Sequence, residues 1–130
     1  MNPQAAAQAY RESTFENAPP IKIVRLLYDG ALRYIDRASG MLAAGDQPSW
    51  TYWVGRADAI VEELRVSLDR THGEELCDEL DRLYDFVQNR LALCVTSKDP
   101  AYLDEARRVL ASLNEGWSRV ETQTLGSPRS

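Results

Sequence analysis

The sequence predicts an all-α protein, an antiparallel up-down four-helix bundle preceded by a short helical segment. In four long segments the apolar residues return at alternating steps of three and four, a spacing that keeps one side of an α-helix apolar. Short connections separate these segments, so consecutive helices are expected to be antiparallel neighbours around one core. No segment shows a competing strand pattern.

The composition is that of an ordinary soluble domain, with 130 residues, 44% of them hydrophobic and 27% charged. The net charge of -5 argues against nucleic acid or an anionic membrane as the main partner. No apolar run reaches the roughly 18 residues of a membrane-spanning helix, and the first residues lack a secretory signal. Cys77 and Cys94 lie on one predicted helix, roughly 26 Å apart, which is beyond disulfide reach. We therefore expect a cytoplasmic protein with reduced thiols.

Residues 1–18 are predicted to be an N-terminal segment held weakly on the bundle. Its alanine-rich part is too short to form a stable helix alone, and Tyr10 and Phe15 are the residues expected to hold it. The double proline Pro19-Pro20 ends this segment. The bundle is predicted to occupy residues 19–122 and to be followed by a disordered tail at 123–130.

The first bundle helix is predicted from Ile21 to Leu42, with Gly45 as its stop. Two residues interrupt its pattern: Leu26 lies among charged residues, and Gly30 sits in the middle of the helix, where glycine costs about 1 kcal/mol relative to alanine. This glycine indicates either a notch where a partner docks beside Leu26 or close contact with a neighbouring helix. The inward face comprises Val24, Leu27, Ala31, Tyr34, Ile35, Ala38, Met41 and Leu42.

Three further helices follow, predicted at Trp50 to Arg70, Glu74 to Thr96, and Ala101 to about Val120. Ser49 is the candidate N-cap of the first of these and Gly73 its stop. The inward residues are predicted to be Trp50, Trp53, Ala57, Ile60, Val61, Leu64 and Leu68 on the second helix, Leu76, Leu80, Leu83, Tyr84, Val87, Leu91 and Val95 on the third, and Leu103, Ala106, Val109, Leu110, Leu113 and Trp117 on the fourth.

The sequence offers little for catalysis or metal binding. Asp69 and His72 resemble the carboxylate-x-x-His pair of di-iron bundles, but such sites need two pairs and inward carboxylates, whereas the inward positions here are apolar. Neither Cys77 nor Cys94 has a histidine or second cysteine nearby in sequence, and no glycine-rich phosphate loop is present. We expect no enzymatic activity, no metal and no cofactor.

Two helices carry a second apolar line away from the inward stripe. Tyr52, Ala59 and Val66 recur at steps of seven on the second helix, and Phe86 and Leu93 do so on the third. A helix that is apolar on two faces is buried on both or offers one to a partner. Periodicity alone leaves two alternatives open. Either the two helices are buried on both faces, in the centre of the bundle or in a homodimer, or their outer faces form a groove for an apolar segment of another protein.

Four motifs in order resemble the FliS family of flagellar export chaperones. They are LLYDGALRYI (Leu26 to Ile35), RADAIVEELRVSLD (Arg56 to Asp69), LYDFVQNRLALCVTSKD (Leu83 to Asp99) and LDEARRVLASLNEGW (Leu103 to Trp117). The chain departs from the family at the first helix start, where Pro19 and Ile21 replace the usual serine and glutamate. The aromatic cluster Trp50, Tyr52 and Trp53 is also unusual for the family.

The resemblance implies a non-enzymatic cytoplasmic chaperone, a monomer or weak dimer when free. It would bind the C-terminal segment of flagellin, prevent premature polymerisation and deliver flagellin to the flagellar type III export apparatus. The resemblance favours the groove. Because antiparallel packing of adjacent helices would set the two apolar lines side by side, we expect flagellin to bind Tyr52, Ala59, Val66, Phe86 and Leu93, with Leu26 and Gly30 as further candidates. It also implies that the N-terminal segment, through Tyr10 and Phe15, covers part of this surface. The alternative is a homodimeric regulatory protein with no export role.

Overall fold

Four long helices and a short N-terminal one account for most of the residues that the computed structural model describes, which are 2–7, 21–45, 47–68 and 74–122. The long helices are α1 (Ile21–Ala43), α2 (Gln47–Val66), α3 (Glu74–Ser97) and α4 (Pro100–Glu121). Residues 3–7 form the N-terminal helical turn. No strand occurs within the described ranges. The predicted all-α antiparallel bundle is confirmed.

The helices form a ring in which each contacts the next, and α4 returns to contact α1. The α1–α2 contact is the most extensive and the α2–α3 contact the least. Because the apolar stripe of each helix faces the centre of the ring, the four stripes bury one continuous core. The largest fully buried side chains are Trp50, Tyr28, Ile35, Leu80, Leu91, Leu103, Leu110 and Leu113.

The predicted inward stripes are confirmed, with full burial at their centres, partial burial against the core at their margins and one exception, Val95. Leu27, Tyr34, Trp53 and Ile60 are only partly buried, because residues at the edge of a stripe lie at the seam between two helices. Tyr28, Val54, Cys77 and Cys94, which were not predicted to be inward, are buried. The predicted inward residue Val95 is 38% exposed, since it borders the open space between α2 and α3.

A polar contact between α1 and α3 crosses the core. The hydroxyl oxygens of Tyr28 on α1 and Tyr84 on α3 lie 2.5 Å apart in a hydrogen bond, and both side chains are buried. Burial raises the pKa of Tyr28 well above its ordinary value because the charged phenolate is disfavoured in an apolar interior. The Tyr28 hydroxyl is therefore neutral, and the hydrogen bond links helices that are not neighbours in the ring.

The helix ends follow the local signals in two places. Gly45 has a φ of 78° and donates its N–H to the carbonyl of Leu42 at 3.1 Å, so it ends α1 as predicted. At the start of α4, Asp99 is the N-cap and accepts a hydrogen bond from the N–H of Ala101 at 2.9 Å. Pro100 then occupies the first turn, where its missing N–H is tolerated.

Two predicted bounds of α2 are wrong. The helix begins at Gln47, so Ser49 lies inside it and is not the N-cap; Pro48 suits a first turn. The helix ends at Val66 rather than Arg70. The Ser67 hydroxyl donates to the carbonyl of Leu64 at 2.9 Å, a local bond that competes with continuation of the helix. The predictions for residues 8–20, Asp69, His72, Gly73 and the tail 123–130 lie outside the described residues.

Candidate partner-binding surface

An apolar row follows the outer face of α2. Tyr52 is 55% exposed and Val66 is 65% exposed, and Ala59 between them is also exposed. These three residues are the outer row. They lie on the side of α2 away from the buried residues, since steps of seven return to nearly the same side of a helix. The predicted second face of α2 is therefore at the surface of the described structure.

A groove lies beside the outer row, between α2 and α3. Its volume is about 230 Å³. Val54 and Leu91 are buried at its base, and Gly55 lies one helical turn from Tyr52. A Cβ placed on Gly55 would meet nothing within 4 Å, so this glycine leaves the groove open. The groove is lined by Thr51, Val54, Gly55, Asp58, Gln88, Leu91, Ala92 and Val95.

The predicted pair on α3 lies apart from the outer row, although Phe86 lines a surface depression together with Arg65 of α2. Phe86 and Leu93 are partly buried rather than exposed. The Arg90 guanidinium lies 4.5 Å from the Phe86 ring centroid and pairs with Glu105 of α4 at 3.2 Å. Phe86 is therefore covered by a side chain that also reaches α4.

A polar network occupies the α2–α3 surface between these two sets of apolar residues. Arg65 donates to Asp81 at 2.6 Å and to Gln88 at 2.8 Å, and Gln88 donates to Asp58 at 3.2 Å. The hydrogen bond to Asp81 is the main cause of the raised pKa of Arg65. The sequence interpretation placed the two apolar lines side by side. The structure does not, because the side of α3 that faces α2 carries these polar residues.

Leu26 and Gly30, the further candidates on α1, have different surroundings. Leu26 is 63% exposed. Gly30 is buried, and a Cβ at this position would lie 3.3 Å from Cδ1 of Ile60 on α2. Gly30 therefore lets α1 and α2 approach closely, which supports the second of its two interpretations. The side chain of Ile60 occupies the space beside it.

The N-terminal helical turn covers part of α4. Ala6 and Ala7 are fully buried, and the Gln4 side chain donates to Glu115 at 3.0 Å. A Cβ placed on Gly116 would lie 2.7 Å from the carbonyl oxygen of Gln4, a distance that real contacts do not tolerate. The turn can therefore lie on α4 only because residue 116 is glycine. This contact was missed in the sequence, although a glycine inside an amphipathic helix was a signal for it.

The described residues include few groups that could hold a metal ion or act as a nucleophile. Within the described ranges, no group of three or more His, Cys, Asp or Glu side chains is placed to hold a metal ion. Burial raises the pKa of Cys94, so its thiol is protonated at neutral pH. In the same part of the chain, no helix has the length and apolar character needed to cross a membrane.

Comparison with known proteins identifies the family to which this chain belongs. The family model described as flagellar protein FliS matches residues 2–124. The chain belongs to the FliS family. It is 33% identical over 109 residues to the flagellar secretion chaperone FliSB of Pseudomonas aeruginosa, covering 84% of this chain and 86% of that protein. It is 29% identical over 118 residues to FliS of Salmonella typhimurium, covering 90% and 87%.

A third bacterial relative gives a similar match. The chain is 30% identical over 120 residues to FliS of Campylobacter jejuni, covering 92% of this chain and 94% of that protein. The protein is therefore a flagellar secretion chaperone of the non-enzymatic FliS family. The resemblance noted in the sequence is confirmed.

Proposed function

We propose that this FliS-family chaperone works in the cytoplasm, where it binds the C-terminal segment of flagellin, prevents premature polymerisation and delivers flagellin to the flagellar export apparatus. The observation that carries this proposal is the exposed outer row of α2 (Tyr52, Ala59 and Val66), on the same helix that forms one wall of the groove. An unpartnered apolar row on a soluble domain is typical of a binding surface. The related proteins named above are secretion chaperones, which supports a flagellar protein as the occupant.

The geometry supports a helical or extended segment lying along α2. A helix presents apolar residues at steps of three, four and seven, which suits the steps of seven in the outer row. Covering apolar area contributes about 25 cal/mol per Å² before the cost of ordering the segment is subtracted. Such binding needs no ATP, and the chaperone would act in a one-to-one complex rather than by turnover.

Phe86 and Leu93 remain part of the proposed surface, on a second contact region. Because the Arg65 network separates them from the outer row, a segment that contacts both must wrap around the bundle. Leu26, 63% exposed on α1, is a further contact. Gly30 contributes only by setting the spacing between α1 and α2.

The proposal is tested by mixing the purified chain with flagellin and measuring molar mass by light scattering. We expect a monomer or weak dimer that becomes a one-to-one complex. A stable homodimer that takes up no flagellin would contradict the proposal and favour the homodimeric alternative, in which the outer row pairs with a second copy.

The groove can be tested with a substitution that fills it. We expect Gly55→Leu to weaken flagellin binding about tenfold or more, because the new side chain enters space where a Cβ meets nothing. The fold should be retained, since replacing glycine inside a helix stabilises it by up to about 1 kcal/mol. Calorimetry of binding and urea denaturation measure the two effects.

Gly40→Leu is the matched control for the groove. Gly40 is also exposed inside a long helix, and a Cβ there meets nothing within 4 Å, but it lies on α1, away from the groove. Equal flagellin affinity for the two variants would show that the groove is not used.

We further propose that the flagellin surface extends onto α4 beside Gly116, where the N-terminal helical turn lies in the free protein, and that flagellin displaces the N-terminal segment when it binds. Gly116→Leu should force the helical turn off α4, because even a Cβ would lie 2.7 Å from the Gln4 carbonyl oxygen. We expect hydrogen exchange at residues 2–7 to accelerate. Flagellin affinity should rise by up to about tenfold, because the apparent affinity is proportional to the fraction of molecules in which the segment has left the surface.

Deletion of residues 1–18 is the comparison for Gly116→Leu and should have the same effect on affinity while the bundle stays folded. If both variants bind flagellin more weakly, the segment holds the partner instead of competing with it. In the original chain, flagellin should reduce the hydrogen-exchange protection of residues 2–7. If this protection is unchanged, flagellin does not displace the segment.

A further inference from the structure

Two arginine–aromatic pairs face each other across the α1–α2 seam. Tyr34 and Arg37 are three residues apart on α1, and Trp53 and Arg56 are three apart on α2. The Tyr34 and Trp53 rings are stacked, with centroids 5.3 Å apart and planes inclined by 26°. The Arg37 guanidinium lies 4.8 Å from the Trp53 centroid, and that of Arg56 lies 5.4 Å from the Tyr34 centroid. Each arginine therefore covers the aromatic ring of the opposite helix.

Both arginines keep hydrogen-bond donors available to solvent. They are exposed, and neither has a carboxylate partner among the described residues. Arg25, Arg65 and Arg107, by contrast, each pair with a carboxylate on a neighbouring helix. Arg56 donates to the Tyr34 hydroxyl at 3.3 Å, and its other polar contact is with Tyr52 rather than with a carboxylate. Stacking uses the flat face of a guanidinium group and leaves N–H donors at its edge, which suit a carboxylate.

The charges identify the kind of partner. Two cations without carboxylate partners stand together on a chain whose net charge is -5. At physiological salt the Debye length is about 8 Å, so the remote carboxylates are largely screened and the local arginines dominate. A nucleic acid would extend beyond this small region into the acidic surface, whereas a short acidic peptide would not. Tyr52, 55% exposed with its ring 4.9 Å from that of Trp53, adds an apolar contact beside the cations.

We propose that Arg37 and Arg56, held by the Tyr34–Trp53 stack, form a docking site for a short acidic segment of a partner protein. The carboxylates of that segment accept hydrogen bonds from the edges of the two guanidinium groups. The stack restricts both arginine side chains before binding, so less side-chain entropy is lost when the partner docks. This site is distinct from the groove between α2 and α3 and does not require flagellin as its occupant.

A purely structural role, in which the two pairs only join α1 to α2, makes different predictions. Replacing both arginines with lysine keeps the positive charge and contact with the rings but removes the planar, forked donors. A structural role would leave peptide binding absent in every variant. A docking role requires binding in the original chain and a loss of affinity in the lysine variant while the melting temperature is kept.

The experiment titrates the full-length chain with a hexaglutamate peptide, and with hexaglutamine as the uncharged control. Nuclear magnetic resonance follows the Nε–H signals of the arginines and the indole N–H of Trp53. We expect the signals of Arg37, Arg56 and Trp53 to shift with hexaglutamate only. The double variant Arg37→Gln/Arg56→Gln should bind hexaglutamate at least about tenfold more weakly.

Arg108→Gln provides the matched control, because Arg108 is exposed on α4; it should leave hexaglutamate affinity unchanged. The proposal is overturned if no signal shifts at millimolar peptide, or if Arg108 responds as strongly as Arg37. Inorganic phosphate or phosphatidylglycerol vesicles displacing the peptide from these arginines would identify a general anion site instead. Self-association that disappears in the double variant would identify a second copy as the occupant and equally overturn it. Because no flagellin is present, the result is independent of the function proposed above.

Discussion

Val66→Glu is expected to weaken flagellin binding by about 100-fold or more while the chaperone stays folded. Val66 is 65% exposed at the end of α2, so a carboxylate there is solvated in the free protein. An acidic group near a helix C-terminus destabilises by no more than about 1 kcal/mol. In the complex the same carboxylate would be covered by the apolar flagellin segment without a partner, which costs several kcal/mol.

Calorimetric titration with flagellin and thermal unfolding of the free variant measure the two sides of this prediction. Ala101→Glu is the control, because it makes the same change in net charge at an exposed position on α4; it should leave binding unaffected. Leu93→Glu is a less selective test, since Leu93 is partly buried. If Val66→Glu unfolds the protein and the folded fraction still binds flagellin, the outer row is not the binding surface.

Leu91→Ala is expected to lower the free energy of unfolding by about 2–5 kcal/mol, as in other large-to-small core substitutions. Leu91 is 1% exposed near the middle of α3, where truncation leaves a cavity that the four surrounding helices cannot fill. Leu64→Ala, at a position that is 3% exposed on α2, should have a cost of similar size. This loss is a large fraction of the roughly 5–15 kcal/mol by which a domain is stable.

Leu26→Ala is the matched control, because it removes the same atoms from a helix at a position that is 63% exposed. It should change stability by less than about 0.5 kcal/mol. Urea denaturation followed by circular dichroism gives the free energies and their slopes. A neutral Leu91→Ala, or a Leu26→Ala that destabilises as strongly, would show that the inward face of the bundle has been assigned wrongly.

Much of the surface could be predicted from residue spacing. Tyr52 and Val66 were correctly placed away from the core, because a step of seven keeps residues on one side of a helix whatever its neighbours are. The prediction that Phe86 and Leu93 lie beside them failed. Spacing within one helix says nothing about its rotation relative to the next, and this rotation turns Asp81 and Gln88 towards α2.

The residues whose roles depend on contacts between helices could not be predicted in the same way. Gly30 and Gly116 look alike in sequence, as glycines inside amphipathic helices. The first accommodates Ile60 and the second accommodates the backbone of Gln4. Trp50, Tyr52 and Trp53 form one cluster in sequence, yet Trp50 is buried in the core and Trp53 stacks on Tyr34 at the surface.

The sequence by itself determined that this protein is a bundle of four amphipathic helices and that four ordered motifs relate it to the FliS chaperones. It could do so because helix periodicity and helix-ending residues act over a few neighbouring positions. Only the tertiary structure decided that Arg37 and Arg56 each cover a ring on the opposite helix and that residues 3–7 lie on Gly116. These contacts join residues distant in sequence, and their geometry depends on the rotation and spacing of whole helices, which are fixed when the four stripes share one core.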